Sequence, residues 1–277
     1  MLWLRPQSRT LHQMETKEKQ LCGWFVFHSG QVLIEKTTGG YHIPYSTEPP
    51  VTVPSGNTIH DIGEINGVPA KTYAIHIPVC GDEDSPRMMK DLRTSFDVLP
   101  PEEYNHAGKA SQILHWDRNS RYCPQCGVPT IQIAPIAKRC PECHQEFYPH
   151  ISPAVIVLIK KEDSVLLVHA RNFKGNFRGL VAGFLEPGES LEECVYREVM
   201  EETGLHIKNL KYFGSQPWPY PSGIMVGYTA DYESGIIKLQ DEELNAGDFY
   251  TRDNLPEIPR KVSIARKLID AWIAYQV

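Results

Sequence analysis

Between Gly183 and Leu205 the chain reads GFLEPGESLEECVYREVMEETGL, and Glu198, Glu201 and Glu202 stand at i, i+3 and i+4. On a helix, those spacings put three carboxylates on one face. Carboxylates that close repel one another and destabilise the helix unless a cation neutralises them. Hard oxygen donors of this kind suit Mg²⁺ or Mn²⁺, ions that most often act on phosphates. A solvated acidic face is the plainer alternative. Such a face needs neither Arg197 nor the glycine-flexed loop that carries Glu189. The positioning element is legible too. Pro187 and Gly188 keep the preceding loop non-helical, and Ser190 followed by Glu193 has capping-box spacing. Leu191, Cys194, Val195 and Val199 recur at helical spacing and Gly204 closes the run, so a helix is predicted over about 190–203.

A second set of chemistry-bearing residues lies upstream. Cys123-Pro124-Gln125-Cys126 and Cys140-Pro141-Glu142-Cys143 form two CxxC pairs whose separation lets four thiolates close a tetrahedral zinc site. With sulfur in all four positions the zinc would be structural, without an open place for water. Cys22, Cys80 and Cys194 are single, and this cysteine usage suits a reducing cytoplasm. A third set lies downstream in Ser215-Gln216-Pro217-Trp218-Pro219-Tyr220-Pro221-Ser222. Its alternating prolines fix φ and preclude a helix or a central strand, which predicts a stiff loop holding Trp218 and Tyr220 outward. Aromatic plates of this kind can receive a base or a nicotinamide ring, or simply tuck into the core.

The remaining elements must position these three sets. The 277 residues allow one large or two modest domains, and 41% hydrophobic with 22% charged residues is ordinary for a globular chain. A net charge of −6 argues against broad nucleic-acid binding, so no DNA partner is expected; no apolar run reaches membrane-spanning length. Residues 1–20 read as a polar, disordered tail without an apolar signal region, and Met14 is a second possible start. Residues 21–117 read as a small α+β domain, with hairpins at Ser29-Gly30 and Asn66-Gly67 and a helix over Ala107 to Trp116. It shows no catalytic motif. Residues 118–150 hold the cysteine ribbon. Residues 151–277 alternate strands with the 190–203 helix and a closing helix over Val262 to Tyr275, which suits a mixed sheet packed between helices. The basic, aromatic stretch from Arg171 to Phe177 reads as a loop that either lines a site or merely connects.

The first motif resembles the Nudix box: a glycine, five residues, a glutamate, seven residues, then R-E-apolar-x-E-E-x-G-apolar. Gly183, Glu189, Arg197, Glu198, Val199, Glu201, Glu202, Gly204 and Leu205 all fall on it. SQPWPYPS in turn is similar to the SQPWPFPxS signature of the Nudix NAD(H) pyrophosphatases, which also carry a four-cysteine motif before the catalytic domain. The final serine of that signature falls on Gly223 here. The likeness covers about 118–277 well and the first domain loosely.

This resemblance implies an α+β chain whose C-terminal Nudix domain is an α/β/α sandwich, preceded by a zinc ribbon and a small α+β domain. It implies hydrolysis of NAD(H) to NMN(H) and AMP, removal of NAD caps from RNA 5′ ends, catalytic Mg²⁺ or Mn²⁺, structural Zn²⁺ and a homodimer, in the cytoplasm that the cysteine usage already suits. Carried over residue by residue, Glu198 and Glu202 hold metal, Glu201 is a metal ligand or base, and Arg197 orients Glu189. Glu243, beside Glu242, matches a further metal-binding position. Ala182 and Phe184 border the nucleotide, Tyr148 closes on the ring from the other subunit, and Gln216, Pro217, Trp218, Pro219, Tyr220, Pro221, Ser222 and Gly223 match the substrate loop. Arg93 and Ala265 match two further substrate contacts. An acidic substrate contact that the family has between the cysteine pairs is missing. Two alternatives stand beside this reading: a Nudix enzyme for another substrate such as ADP-ribose, and a zinc-ribbon RNA-binding protein whose Nudix domain is inactive.

Overall fold

A computed structural model describes residues 20–79, 85–171, 175–240 and 242–277. Nearly all of the N-terminal tail, with Met14, lies outside the described residues, as do Cys80, Asp241 and residues 172–174 of the basic stretch. Among the described residues no helix is long and apolar enough to cross a membrane.

The first domain is a sheet of β1 (Cys22–His28), β2 (Gln31–Thr37), β3 (Gly40–His42), β4 (Tyr45–Ser46), β5 (His60–Ile65), β6 (Val68–Ala74) and β7 (Arg87–Asp91). Two helices follow, α1 (Leu92–Ser95) and α2 (Pro101–Asn119). Both hairpin turns fall where expected, with Ser29, Gly30, Asn66 and Gly67 all at positive φ. The α2 helix is longer than its apolar spacing suggested. Its Ala107, Ala110, Ile113 and Trp116 pack on Phe25, Phe27, Val32 and Ile34 of one sheet face. On the other face Trp24, Val26, Leu33 and Tyr73 are covered by Val51 and Val53 from the loop after β4. The ribbon follows as β8 (Ile131–Ala134), β9 (Ala137–Arg139) and β10 (Glu146–Phe147).

The second sheet consists of β11 (Ser152–Lys161), β12 (Ser164–Ala170), β13 (Val181–Phe184), β14 (Leu205–Trp218), β15 (Gly223–Gly235) and β16 (Leu244–Thr251), ordered β14-β15-β11-β12-β16 with β13 on β11. The β11–β15 pair is parallel and the others antiparallel, so the sheet is mixed. Helix α3 (Leu191–Thr203) buries Cys194, Val195 and Val199 against Val155, Val157 and Val168. On the opposite face, α4 (Ile264–Ile273) buries Leu268, Ile269 and Trp272 against Ile156, Leu158 and Leu167. Alternate residues of β11 thus feed two cores, as a strand buried on both faces requires. This is the α/β/α sandwich expected.

The two sheets are built alike. In each, a first strand pairs antiparallel with the second through a tight hairpin, antiparallel with a short fragment, and parallel with a later strand: β1 with β2, β4 and β6, and β11 with β12, β13 and β15. Each parallel strand carries an outer antiparallel neighbour, β5 or β14, and each second strand carries β7 or β16. A long helix then closes the same face, α2 or α4. The match is not complete: β3 has no strand counterpart in the second sheet, and α3 has none in the first. Where the second sheet inserts α3, the first has only the loop between β4 and β5.

One sequence expectation needs correcting. Gln216, Pro217 and Trp218 are not loop but the last residues of β14, paired with Met225, Ile224 and Gly223. The strand is at the sheet edge, where a proline's missing N–H leaves no ladder bond unmade. The aromatic loop is therefore short, residues 219–222.

Candidate active site

Helix α3 starts and stops on the expected chemistry. Glu193 N–H donates to Ser190 Oγ at 3.2 Å while Ser190 N–H donates to Glu193 Oε2 at 2.7 Å, a closed capping box. Gly204, at φ +69°, ends the helix with its N–H on the Met200 carbonyl. Between these caps, Glu198 and Glu202 turn inward, only 8% and 4% exposed, whereas the Glu201 side chain is 54% exposed.

The Glu198 carboxylate lies directly on Gly183 of β13. A Cβ at residue 183 would sit 1.8 Å from Glu198 Cδ, so no side chain can share that space. Arg197 is the hub. Its Nη2 donates to Glu189 Oε2 and to the Phe184 carbonyl, both at 3.0 Å, and its Nη1 donates to Glu198 at 2.9 Å and Glu201 at 3.1 Å. Glu189 also accepts from the Glu186 N–H at 2.9 Å, which fixes the loop before the helix. The Arg197 guanidinium draws the Glu189 carboxyl down to about 2.

Glu202 has the opposite environment. Among the described residues it makes no ion pair, and burial, then the charges of Glu198, Glu243 and Glu201, push its carboxyl up to about 8. Burial raises Glu198 as well, against the pull of Arg197. Glu243 precedes β16 and is held by the Arg171 N–H on its carbonyl at 2.8 Å; its charge reaches both Glu198 and Glu202. A buried acid without a counter-charge, beside three more acids, is a donor set that a hard divalent cation satisfies. No three of these carboxylates bring ligand oxygens within 4.8 Å of one another.

Beside this cluster opens a cavity of about 580 Å³. Tyr148, Ala182, Phe184, Trp218, Tyr220, Pro221, Ser222 and Gly223 all line it, so the structure gathers most of the expected substrate residues. Tyr148 reaches the cavity of its own chain, 56% exposed, with its hydroxyl on Glu146. Others stand elsewhere. Gln216 donates its Nε2 to the Val262 carbonyl at 2.7 Å, Pro219 is buried and lies against Gly108, and Ala265 lies in the first turn of α4 on its buried face. Arg93 is outside the lining, with its guanidinium 4.3 Å from the Tyr220 ring centre and 5.3 Å from that of Trp218. Sequence reasoning missed the opposite wall: His115, Trp116, Asn119 and Ser120 at the end of α2, with His150. Nothing in the periodicity of α2 marks that end as anything but core and solvent face.

The four ribbon sulfurs lie within 4.8 Å of one another, with Cys123–Cys143 at 3.5 Å and Cys126–Cys140 at 3.4 Å. Zinc–thiolate bonds of about 2.3 Å in a tetrahedron place sulfurs nearly that far apart, so the donors fit the ion. The two knuckles are superimposable in kind. Gly127 N–H returns to the Cys123 carbonyl and His144 N–H to that of Cys140, with Gly127 and His144 both at positive φ. The ribbon is tied to α2 through Lys138, whose Nζ donates to Asp117 Oδ1 at 2.7 Å and lies 5.3 Å from the Trp116 ring centre.

Comparison with known proteins assigns the three parts of the chain to described families. Residues 149–272 match the NUDIX domain, residues 118–148 the NADH pyrophosphatase zinc ribbon domain, and residues 22–116 the NADH pyrophosphatase-like rudimentary NUDIX domain. The NAD-capped RNA hydrolase NudC of Pseudomonas syringae pv. syringae is 46% identical over 216 residues, 78% of this chain and 77% of that one. Its Klebsiella pneumoniae namesake is 35% identical over 250 residues, 87% and 96% of the two chains. A solved NUDIX hydrolase from Nitrosomonas europaea aligns over 55% of this chain and 90% of its own with a TM-score of 0.47 and 22% identity. The description "rudimentary" has a physical content here: the first sheet repeats the second but lacks the helix that carries the carboxylates. The chain belongs to the Nudix superfamily, in its zinc-ribbon-bearing NADH pyrophosphatase branch.

Proposed function

We propose that the chain hydrolyses the diphosphate of NAD(H) to NMN(H) and AMP, both in the free dinucleotide and where it caps an RNA 5′ end. The observation that carries this reading is one continuous cavity that joins Gly183 and Phe184, at the carboxylate helix, to Trp218 and Tyr220. A diphosphate cut at one end and an aromatic ring held at the other is what a dinucleotide requires. The relatives named NAD-capped RNA hydrolase support the same substrate.

Glu198, Glu202 and Glu243 would hold Mg²⁺ or Mn²⁺, which when bound neutralises phosphate oxygens and lowers the pKa of water. The chain's own groups do the rest. Arg197 fixes Glu198 and Glu189 in one geometry, and Phe184, 67% exposed, offers a ring face beside the cut. Glu201 or a neighbouring glutamate takes the proton of the attacking water as its oxygen joins phosphorus and the bridging P–O bond breaks. Positioning and charge, without a covalent intermediate, carry the transfer. A cytoplasmic homodimer belongs to the same reading, and light scattering on the purified protein checks its stoichiometry.

A panel of NADH, NAD⁺, ADP-ribose and NAD-capped RNA, each with Mn²⁺, tests the proposal. Turnover of the dinucleotide substrates, abolished by Glu198→Gln or Glu202→Gln in a folded protein, is the expected result. Faster turnover of ADP-ribose would assign another substrate. Full activity in either variant would remove the assigned metal ligands.

A further inference from the structure

The connection between β14 and β15, residues 219–222, is held from two sides: Ser222 is bonded within its own domain, to the Ser152 N–H and the His150 carbonyl, and the rest of the loop leans on the rudimentary domain. The Tyr220 hydroxyl lies 2.7 Å from that of Tyr104, which is 8% exposed in the first turn of α2. Among the described residues Tyr104 is the hydrogen-bond partner of that hydroxyl. Phe96 braces Tyr104 edge-on at 5.3 Å, and Arg93 stacks on the Tyr220 ring. Farther along α2, Gly108 makes room for Pro219, where a Cβ would come within 3.1 Å of Pro219 Cγ. Gln112 then donates its Nε2 to the Gly223 carbonyl at 3.3 Å. Three successive turns of one helix thus contact the start of the loop, its middle and the first residue of β15 beyond it.

We infer that Tyr104 is a positioning residue for the dinucleotide: through its bond to Tyr220 the degenerate domain sets the aromatic wall that binds the part of the substrate not being cut. The inference rests on the function proposed above. Its physical basis is that a half-buried hydroxyl pair is mutual. Removing either hydroxyl orphans the other and frees the ring that it held, while the carboxylates on α3 are untouched. Binding should weaken and the chemical step should not.

The test is steady-state kinetics with NADH and Mn²⁺ on the full chain, together with thermal unfolding. Tyr104→Phe is expected to raise KM about fivefold, the effect of one lost hydrogen bond, with kcat within about twofold of the parent. Tyr220→Phe removes the same bond from the other side and should raise KM equally. The double variant should be no worse than either single one. An unchanged KM, additive effects, or a fall in kcat that tracks a fall in Tm would overturn the inference. Absence of NADH turnover by the unmodified enzyme overturns the function reading and this one with it. Turnover with a KM indifferent to Tyr104→Phe overturns only this one.

Discussion

Glu198 fills the space that any side chain at residue 183 would need, and that is the tightest constraint in the site. An alanine methyl at residue 183 must displace the carboxylate or the strand, because 1.8 Å is far inside any contact distance. Gly183→Ala is therefore expected to lose roughly 10²-fold in activity through a misplacement of about 1 Å, in a protein that still folds. A crystal structure or activity assay showing Glu198 undisturbed would refute this. Glu202 gives a second prediction at this scale. Its carboxyl titrates at about 8 in the fold against an ordinary value near 4.5, so the folded chain holds a proton that the unfolded chain releases. Stability without added Mg²⁺ or Mn²⁺ should accordingly fall as pH rises from about 4.5 to about 8, and no further above that. Melting scans across this window should show the parent losing on the order of 5 °C more than Glu202→Gln; parallel curves would mean that burial at Glu202 is relieved some other way. Added Mn²⁺ should stabilise the parent more at pH 8 than at pH 5.

At the scale of elements, the two zinc knuckles form a natural comparison. Both place a residue at positive φ after the second cysteine, filled by Gly127 in one and by His144 at φ +61° in the other. A side chain in that region is strained by about 1 kcal/mol, so His144→Gly should stabilise the ribbon by roughly that amount, read as slower zinc release to a chelator. Faster release would show that the His144 side chain makes a contact worth more than the strain. The elements also show what was legible in the sequence. Helix α3 could be read to within a residue because its caps, Ser190 with Glu193 and Gly204, are local chemistry. The ribbon could be read because metal spacing is local too. The end of β14 could not: Pro217 reads as a strand breaker unless one knows that its strand lies on an edge.

At the scale of the molecule, the cavity is assembled from all three parts of the chain, and that is why half of its lining was not legible in the sequence. Trp116, His115 and Asn119 bring α2 to the cavity through tertiary placement alone, and no periodicity or spacing encodes a contact between domains. The same assembly predicts how zinc matters. Lys138 and Thr130 of the ribbon hold the end of α2, Lys138 through Asp117 and Thr130 through the Ser120 carbonyl. Removing zinc with a selective chelator in excess Mg²⁺ should loosen that wall and raise KM for NADH before kcat declines. Equal, simultaneous loss of both would place the effect at the carboxylates instead.

The loop between β4 and β5 bears on how such a chain can change. In the first sheet that loop, with Val51 and Val53, covers a face that α3 covers in the second, and the strands around it pair in the same way. The helix that bears the carboxylates is thus a replaceable cassette: the surrounding sheet asks of it only an apolar lid. A chain that holds one copy with the cassette and one without can part with catalysis in a domain and keep the domain, freeing it to serve as a wall, a brace or a reader for the copy that still cuts.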